Sequence, residues 1–233
     1  MTALIRFKPH GGGILDRNKR DGAVLVLGDT MKSASVWSDM SGRGNHGLVY
    51  GAGTPPAATP GALGYLFDGV DDYVDCGNNA SLDITNAITI SAWVKTSMAS
   101  ATYGANLVRK GGAAYFLSLG DGVASSPKVT GYLYINGDWR SLKGTTAVND
   151  GNWHNALFTY DGSYLRVYRD GVIDATPLLY VGSINTDALA LELGYYGLGF
   201  FNGSIDEVRI YNRALSAAEI KRYFERTRIL FGV

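Results

Sequence analysis

Residues 88–95 read Ile88-Thr89-Ile90-Ser91-Ala92-Trp93-Val94-Lys95, and this stretch decides the fold class. Successive side chains of an extended chain alternate sides, so Ile88, Ile90, Ala92 and Val94 share one face. Thr89, Ser91, Trp93 and Lys95 share the other. Period two over eight residues predicts a strand with one face on a core. The pattern repeats downstream. In 129–135, Val129, Leu133 and Ile135 oppose Thr130, Tyr132 and Tyr134. In 153–160, Trp153, Asn155, Leu157 and Thr159 oppose His154, Ala156, Phe158 and Tyr160. Residues 164–169 follow after a short turn, so 153–169 is predicted to be a hairpin.

Turn signals separate these segments: Asp68-Gly69, Asp121-Gly122, Asn136-Gly137, Asp150-Gly151, Asp161-Gly162, Asp170-Gly171 and Asn202-Gly203. Type I′ hairpin turns need positive φ at both central residues, which Asn-Gly and Asp-Gly tolerate best. Many short strands with little helical periodicity predict an all-β sandwich. One helix is expected near the end. Ser216-Ala217-Ala218-Glu219 fits a capping box, and Ile220, Tyr223 and Phe224 follow as an apolar stripe. No linker divides 23–227, which reads as one domain. Residues 1–22 read as an N-terminal arm hinged at Gly11-Gly12-Gly13, and 228–233 as a C-terminal tail.

Composition narrows the class. The 233 residues are 46% hydrophobic and 18% charged, with 21 basic residues balancing 21 acidic ones. High apolar content without net charge excludes intrinsic disorder. Only 6 prolines accompany 31 glycines, and no three-residue period appears, so a collagen-like chain is excluded. The single cysteine, Cys76, can form neither an intrachain disulfide nor a cysteine-based zinc site. No apolar run reaches bilayer-spanning length. The first residues lack a secretory signal pattern, so the expectation is cytoplasmic synthesis without a signal peptide. Residues 1–22 and 212–233 each carry five basic residues against two acidic ones, leaving the body acidic. Such ends fit packing against acidic surface of the same or a neighbouring subunit, or simple solvation. No dense basic stripe with interleaved aromatics points to nucleic acid.

Four blocks, in order, carry a resemblance. They are Trp37-Ser38-Asp39-Met40-Ser41-Gly42-Arg43-Gly44-Asn45-His46-Gly47; Phe67-Asp68-Gly69-Val70-Asp71-Asp72-Tyr73-Val74 with 88–95 behind it; Asp150-Gly151-Asn152-Trp153-His154 leading to Phe158-Thr159-Tyr160-Asp161-Gly162; and Gly203 to Ser216 with Glu219-Ile220. Together they resemble the concanavalin A-like superfamily, within it the laminin-G-like jelly-roll domains related to pentraxins, over roughly 24–225. The resemblance implies a two-sheet antiparallel jelly-roll sandwich with one short C-terminal helix. It implies no single function, because this fold hosts lectins, hydrolases, adhesion modules and structural proteins.

Glycoside hydrolysis typically needs two carboxylates about 5–9 Å apart. The chain has four glutamates, Glu192, Glu207, Glu219 and Glu225, and lacks the Glu-x-Asp-x-x-Glu strand of glucanases of this fold. Asp206 and Glu207 are adjacent, and adjacent strand residues face opposite sides. No Gly-x-Ser-x-Gly elbow or activated thiol is present, so no catalytic residue is assigned. His10, His46 and His154 are scattered, and His46 and His154 are read as structural. The resemblance suggests one structural calcium near Asp39, Asn45 and Asp206; otherwise no cofactor is required. Turn capping by the same side chains is the competing reading. Sugar binding uses aromatic faces with polar neighbours, for which Trp93, Tyr132, Tyr134, Trp139, Tyr195 and Tyr196 are candidates. Trp139 leads them because a tight turn would expose it, although strand aromatics commonly serve packing. Apolar residues near both ends, Leu4, Ile5 and Phe7, then Ile229, Leu230 and Phe231, are candidate assembly contacts. The leading expectation is therefore a non-catalytic, homo-oligomeric virion component, such as a capsid decoration or tail-associated protein, able to contact surface glycans. Its partners would be itself and other virion proteins, and no membrane insertion is expected. A free-standing lectin is the alternative, and a glycoside hydrolase comes third.

Overall fold

The computed structural model describes residues 21–32, 35–51, 64–100, 105–120, 127–197 and 199–233. The assembly candidates Leu4, Ile5 and Phe7, most of the arm, and the Asp121-Gly122 turn lie outside the described residues. In chain order the strands begin with β1 (Ala23–Lys32), β2 (Val36–Asp39), β3 (Gly47–Tyr50), β4 (Tyr65–Asp68), β5 (Tyr73–Asp75) and β6 (Ile88–Lys95). Next come β7 (Asn106–Lys110), β8 (Tyr115–Ser118), β9 (Lys128–Ile135), β10 (Asp138–Ala147), β11 (Trp153–Tyr160) and β12 (Tyr164–Arg169). The last are β13 (Val172–Ile173), β14 (Leu178–Leu179), β15 (Leu191–Leu193), β16 (Tyr195–Tyr196), β17 (Gly199–Phe200) and β18 (Asn202–Tyr211). A helix, α1 (Ala217–Phe231), follows.

The main hydrogen-bonded path runs β10-β9-β8-β7-β15-β5-β3-β2-β1-β18-β6-β11-β12-β13, with β4 on β18 and β14 on β12. All its pairings are antiparallel. The path doubles over. Without pairing, β8 and β9 pack against β11, and β9 and β10 against β12. A front layer from β10 to β2 thus faces a back layer from β1 to β13, the two-layer jelly roll that the family resemblance implied. Gly131 of β9 marks the close approach of the layers: a Cβ there would lie 2.8 Å from the Phe158 ring of β11.

The core between the layers takes Tyr115 and Leu117 of β8, Val129, Leu133 and Ile135 of β9, and Ile88, Ile90, Ala92 and Val94 of β6. It also takes Phe158 and Tyr160 of β11 with Leu165 and Val167 of β12. These are the apolar faces of the alternating segments. The predicted hairpin 153–169 forms, with Tyr160 opposite Leu165. Its neighbour turns have the expected backbone: Asn136 and Gly137 have φ of 53° and 82°, Asp170 and Gly171 of 51° and 75°.

The second face of β6 is buried as well, because α1 covers the back layer. Ser216 Oγ accepts from the Glu219 N–H, and the Glu219 carboxylate accepts from Ser216 N–H, which is the capping box read from sequence. Gly232, at φ 72°, ends the helix in the left-handed conformation that glycine supplies cheaply. Ile220, Thr227 and Phe231 form its buried stripe.

This docking corrects two expectations. Trp93 is 0% exposed and cannot serve as a sugar platform. It stacks on Phe231 at 4.1 Å and Phe224 at 5.7 Å, and its Nε1–H donates to Thr227 Oγ1 at 3.1 Å. Phe231 is likewise no assembly contact, since it is buried against Trp93 and Trp153. Residues 228–231 are the last turn of α1 and not part of the tail expected from sequence at 228–233.

Candidate functional site

The outward face of the front layer gathers the polar and aromatic side chains that the core leaves out. Register places Asp75 opposite Glu192, Glu192 opposite Arg109, Arg109 opposite Phe116, and Phe116 opposite Tyr132. Their chain neighbours Val74, Leu191, Leu193, Val108, Tyr115, Leu117 and Leu133 are buried, so alternation turns the five outward into one row. Each of the five is partly exposed.

Aromatic rings flank the row on both sides. Beyond Phe116, Trp139 lies 4.6 Å from its ring, with Tyr134 5.1 Å and Tyr132 6.5 Å from Trp139. Trp139 faces Tyr134 directly across the β9–β10 ladder, next to the Asn136-Gly137 turn. On the other side, the β16–β17 hairpin brings Tyr196 to 4.1 Å from the Arg109 guanidinium, which also lies 4.9 Å from the Phe116 ring. Tyr195 reaches Tyr73 at 5.5 Å, and Tyr73 stacks on Tyr50 at 4.8 Å. Trp139, Tyr132, Tyr134, Tyr195 and Tyr196, scattered in sequence, therefore meet on one surface with Arg109 as the joint.

The electrostatics suit a ligand with hydroxyl groups. Burial, then the neighbouring Asp75 charge, raises the Glu192 carboxyl above its ordinary range, and Arg109 partly opposes this. Burial lowers the Arg109 guanidinium, whose Nε is buried without a hydrogen-bond partner. Asp75 accepts from Gly77 N–H at 2.7 Å. The row thus carries two carboxylates and one guanidinium between aromatic platforms. Sequence reading missed Asp75, Arg109, Phe116 and Glu192, because only the register brings them together. It also missed that Asp75 and Glu192 are a carboxylate pair, directly opposite on neighbouring strands.

The proposed calcium residues behave differently. Asp39 Oδ1 accepts from Val26 N–H and Ser41 N–H at 3.0 and 2.8 Å. Its Oδ2 accepts from Ser41 Oγ and Asn45 N–H at 2.7 and 3.0 Å. Asn45 Nδ2 donates to the Val24 carbonyl and Ser81 Oγ, leaving its Oδ1 buried without a partner. Asp206 is fully buried elsewhere, accepting from Gly64 and Glu207 N–H groups. The two carboxylates cap separate backbone segments, Asp39 those at 26, 41 and 45 and Asp206 those at 64 and 207, which is the geometry of the turn-capping reading. Glu207 does not simply face away from Asp206 either. It sits at a register shift between Asp206 and Arg209 with φ 46°, paired to Arg209 at 2.7 Å. His46 Nδ1 accepts from Asp39 N–H, bracing its own loop. Burial raises the Cys76 thiol far above its ordinary value, which leaves it inert.

Comparison with known proteins agrees with this architecture. A family described as the concanavalin A-like lectin/glucanases superfamily matches residues 68–221. Domain 4 of AbnA, an extracellular arabinanase from Geobacillus stearothermophilus solved with arabinotriose, superposes with a TM-score of 0.59 at 18% identity. That match covers 86% of this chain and 97% of the arabinanase domain. The binding domain of Paraclostridial Mosquitocidal Protein 1 gives a TM-score of 0.58 at 15% identity over 89% of this chain and 53% of that one. The binding domain of botulinum neurotoxin DC in complex with SialylT gives 0.60 at 13% identity over 89% and 52%. The chain therefore spans about half the length of these toxin binding domains. At such identities the likeness shows the fold. No curated protein sequence matches the chain.

Proposed function

The chain belongs to the concanavalin A-like lectin/glucanase superfamily, and from that premise we propose that it is a carbohydrate-binding domain that grips a neutral glycan on its open front face. The row Asp75–Glu192–Arg109–Phe116–Tyr132, flanked by Trp139 and Tyr196, carries this reading. Aromatic faces accept the apolar C–H surface of a sugar ring, while fixed polar groups read its hydroxyls. Glu192 and Asp75 can accept and Arg109 can donate. Two carboxylates against one guanidinium repel an anionic sugar, which separates this face from a sialic-acid site. A glycan array should therefore show neutral oligosaccharides binding and sialylated ones not. Trp139→Ala should weaken that binding about 30-fold, as for removal of an interface hot spot of about 2 kcal/mol. A wild-type protein that binds only sialylated glycans, or a variant that binds as well as wild type, overturns the proposal.

The Asp75–Glu192 pair favours a second reading, glycoside hydrolysis, because two juxtaposed carboxylates are what that chemistry uses. Binding without turnover is preferred: Arg109, next to Glu192 in the row, engages the same carboxylate electrostatically. Prolonged incubation with a bound oligosaccharide separates the readings, and any shortened product establishes the hydrolase.

The setting proposed for this domain is a homo-oligomeric, virion-like assembly. Ile229 and Leu230, adjacent on the last turn of α1, are 76% and 55% exposed and support a contact with another copy. No helix among the described residues is long and apolar enough to cross a membrane.

A further inference from the structure

The loop from β4 to β5 holds three carboxylates that neither the core nor the glycan face uses. Ligand oxygens of Asp68, Asp71 and Asp72 lie within 4.8 Å of one another. Asp72 is 2% exposed. Its Oδ2 accepts from Asp68 N–H at 2.9 Å, while its Oδ1 is buried with no hydrogen-bond partner. Asp68 Oδ1 accepts from Val70 and Asp71 N–H groups at 2.8 and 3.4 Å. Among the described residues no other group of acidic, histidine or cysteine side chains converges in this way.

A buried carboxylate oxygen without a donor is costly, and two further carboxylates beside it add repulsion. A cation held by the three carboxylates would supply the counter-charge that no donor gives the buried Asp72 Oδ1. We propose that Asp68, Asp71 and Asp72 bind one calcium ion, at a site separate from Asp39, Asn45 and Asp206. Oxygens sharing a calcium at about 2.3–2.6 Å stand up to about 5 Å apart, which matches this spread. Magnesium, at about 2.0–2.1 Å in rigid octahedral geometry, holds its ligands closer together. The ion would also fasten the start of β5, since Tyr73 follows Asp72 directly and with Asp75 belongs to the glycan face.

The test is thermal unfolding of the full chain after chelation, with calcium or magnesium chloride added back, beside calorimetric titration with calcium chloride. Calcium should raise Tm by several degrees, saturably and at one ion per chain, because it binds the folded state alone. Magnesium should do less. Asp72→Asn should keep or exceed the wild-type Tm in chelator, since it removes an unpaired buried charge, and should lose the calcium shift. Asp71→Asn, at a more exposed position, should lower calcium affinity at least tenfold without harming the fold. An unchanged wild-type Tm with no titration heat overturns the site, and so does an Asp72→Asn protein that keeps the full calcium shift.

Discussion

At the scale of single residues, His154 is the group whose charge the fold controls most visibly. Its Nδ1 lies 2.8 Å from Asp170 Oδ2 and its Nε2 3.1 Å from Asp150 Oδ1. The Asp170 hydrogen bond, outweighing burial, raises the imidazole above its ordinary 6.5. A raised folded pKa gives stability that is complete below the unfolded value and lost as pH climbs through the folded one. Tm should therefore decline as pH rises from 6.5 through the raised value, and His154→Asn should remove that decline. A wild-type Tm that stays level across this window, measured by calorimetry, would contradict a charged imidazole. A structural role for this histidine was legible in the sequence; its two carboxylate partners were not. Lys110 shows the reverse. Alternation turns Lys110 to the same side as the buried Val108, where a lysine is ordinarily not tolerated, and its ammonium is buried, bonded to Asn78 Oδ1 and the Asp187 and Leu189 carbonyls. Those acceptors come from two distant loops, so no local pattern announces them.

At the scale of elements, α1 matters through what it covers. Its capping box is local and could be read directly, as could strands 88–95 and 153–160, because each depends on residues a few positions apart. The docking could not be read this way. Trp93 alternates like an outward-facing residue, and only the packed helix reveals that this outward face is also interior. Phe231 sits against both Trp93 and Trp153, so Phe231→Ala should cost about 3–5 kcal/mol. It should also expose Trp93, seen as a red shift in tryptophan emission before global unfolding. A loss below about 1 kcal/mol with unchanged emission would mean that the helix does not seal the back layer.

At the scale of the whole molecule, the doubled-over path of the described residues leaves one broad face open among them and closes the other with a helix. The sandwich was legible because alternation and turn residues repeat along the entire chain. The binding face was legible only in part. Trp139, Tyr132 and Tyr134 stood out through the Asn136-Gly137 turn and the period-two pattern. Asp75, Arg109 and Glu192 are unremarkable in sequence, and they become a site through cross-strand register alone. Assembly is a property of the same scale. Light scattering should report an oligomer, and Ile229→Asp with Leu230→Asp should return it to monomer without lowering Tm; a monomeric wild type would remove the assembly proposal.

Glycan binding on the front face is tested most directly by titrating the isotopically labelled protein with a neutral linear oligosaccharide and following its amide and indole NMR signals. The expected result is saturable movement of the Trp139 indole and of amides at Arg109, Phe116, Tyr132 and Glu192. The buried Trp93 indole should stay still, and the sugar signals should remain those of the intact chain. Movement confined to the helix side of the molecule, or new reducing-end signals accumulating during the titration, would contradict a face that binds without cutting.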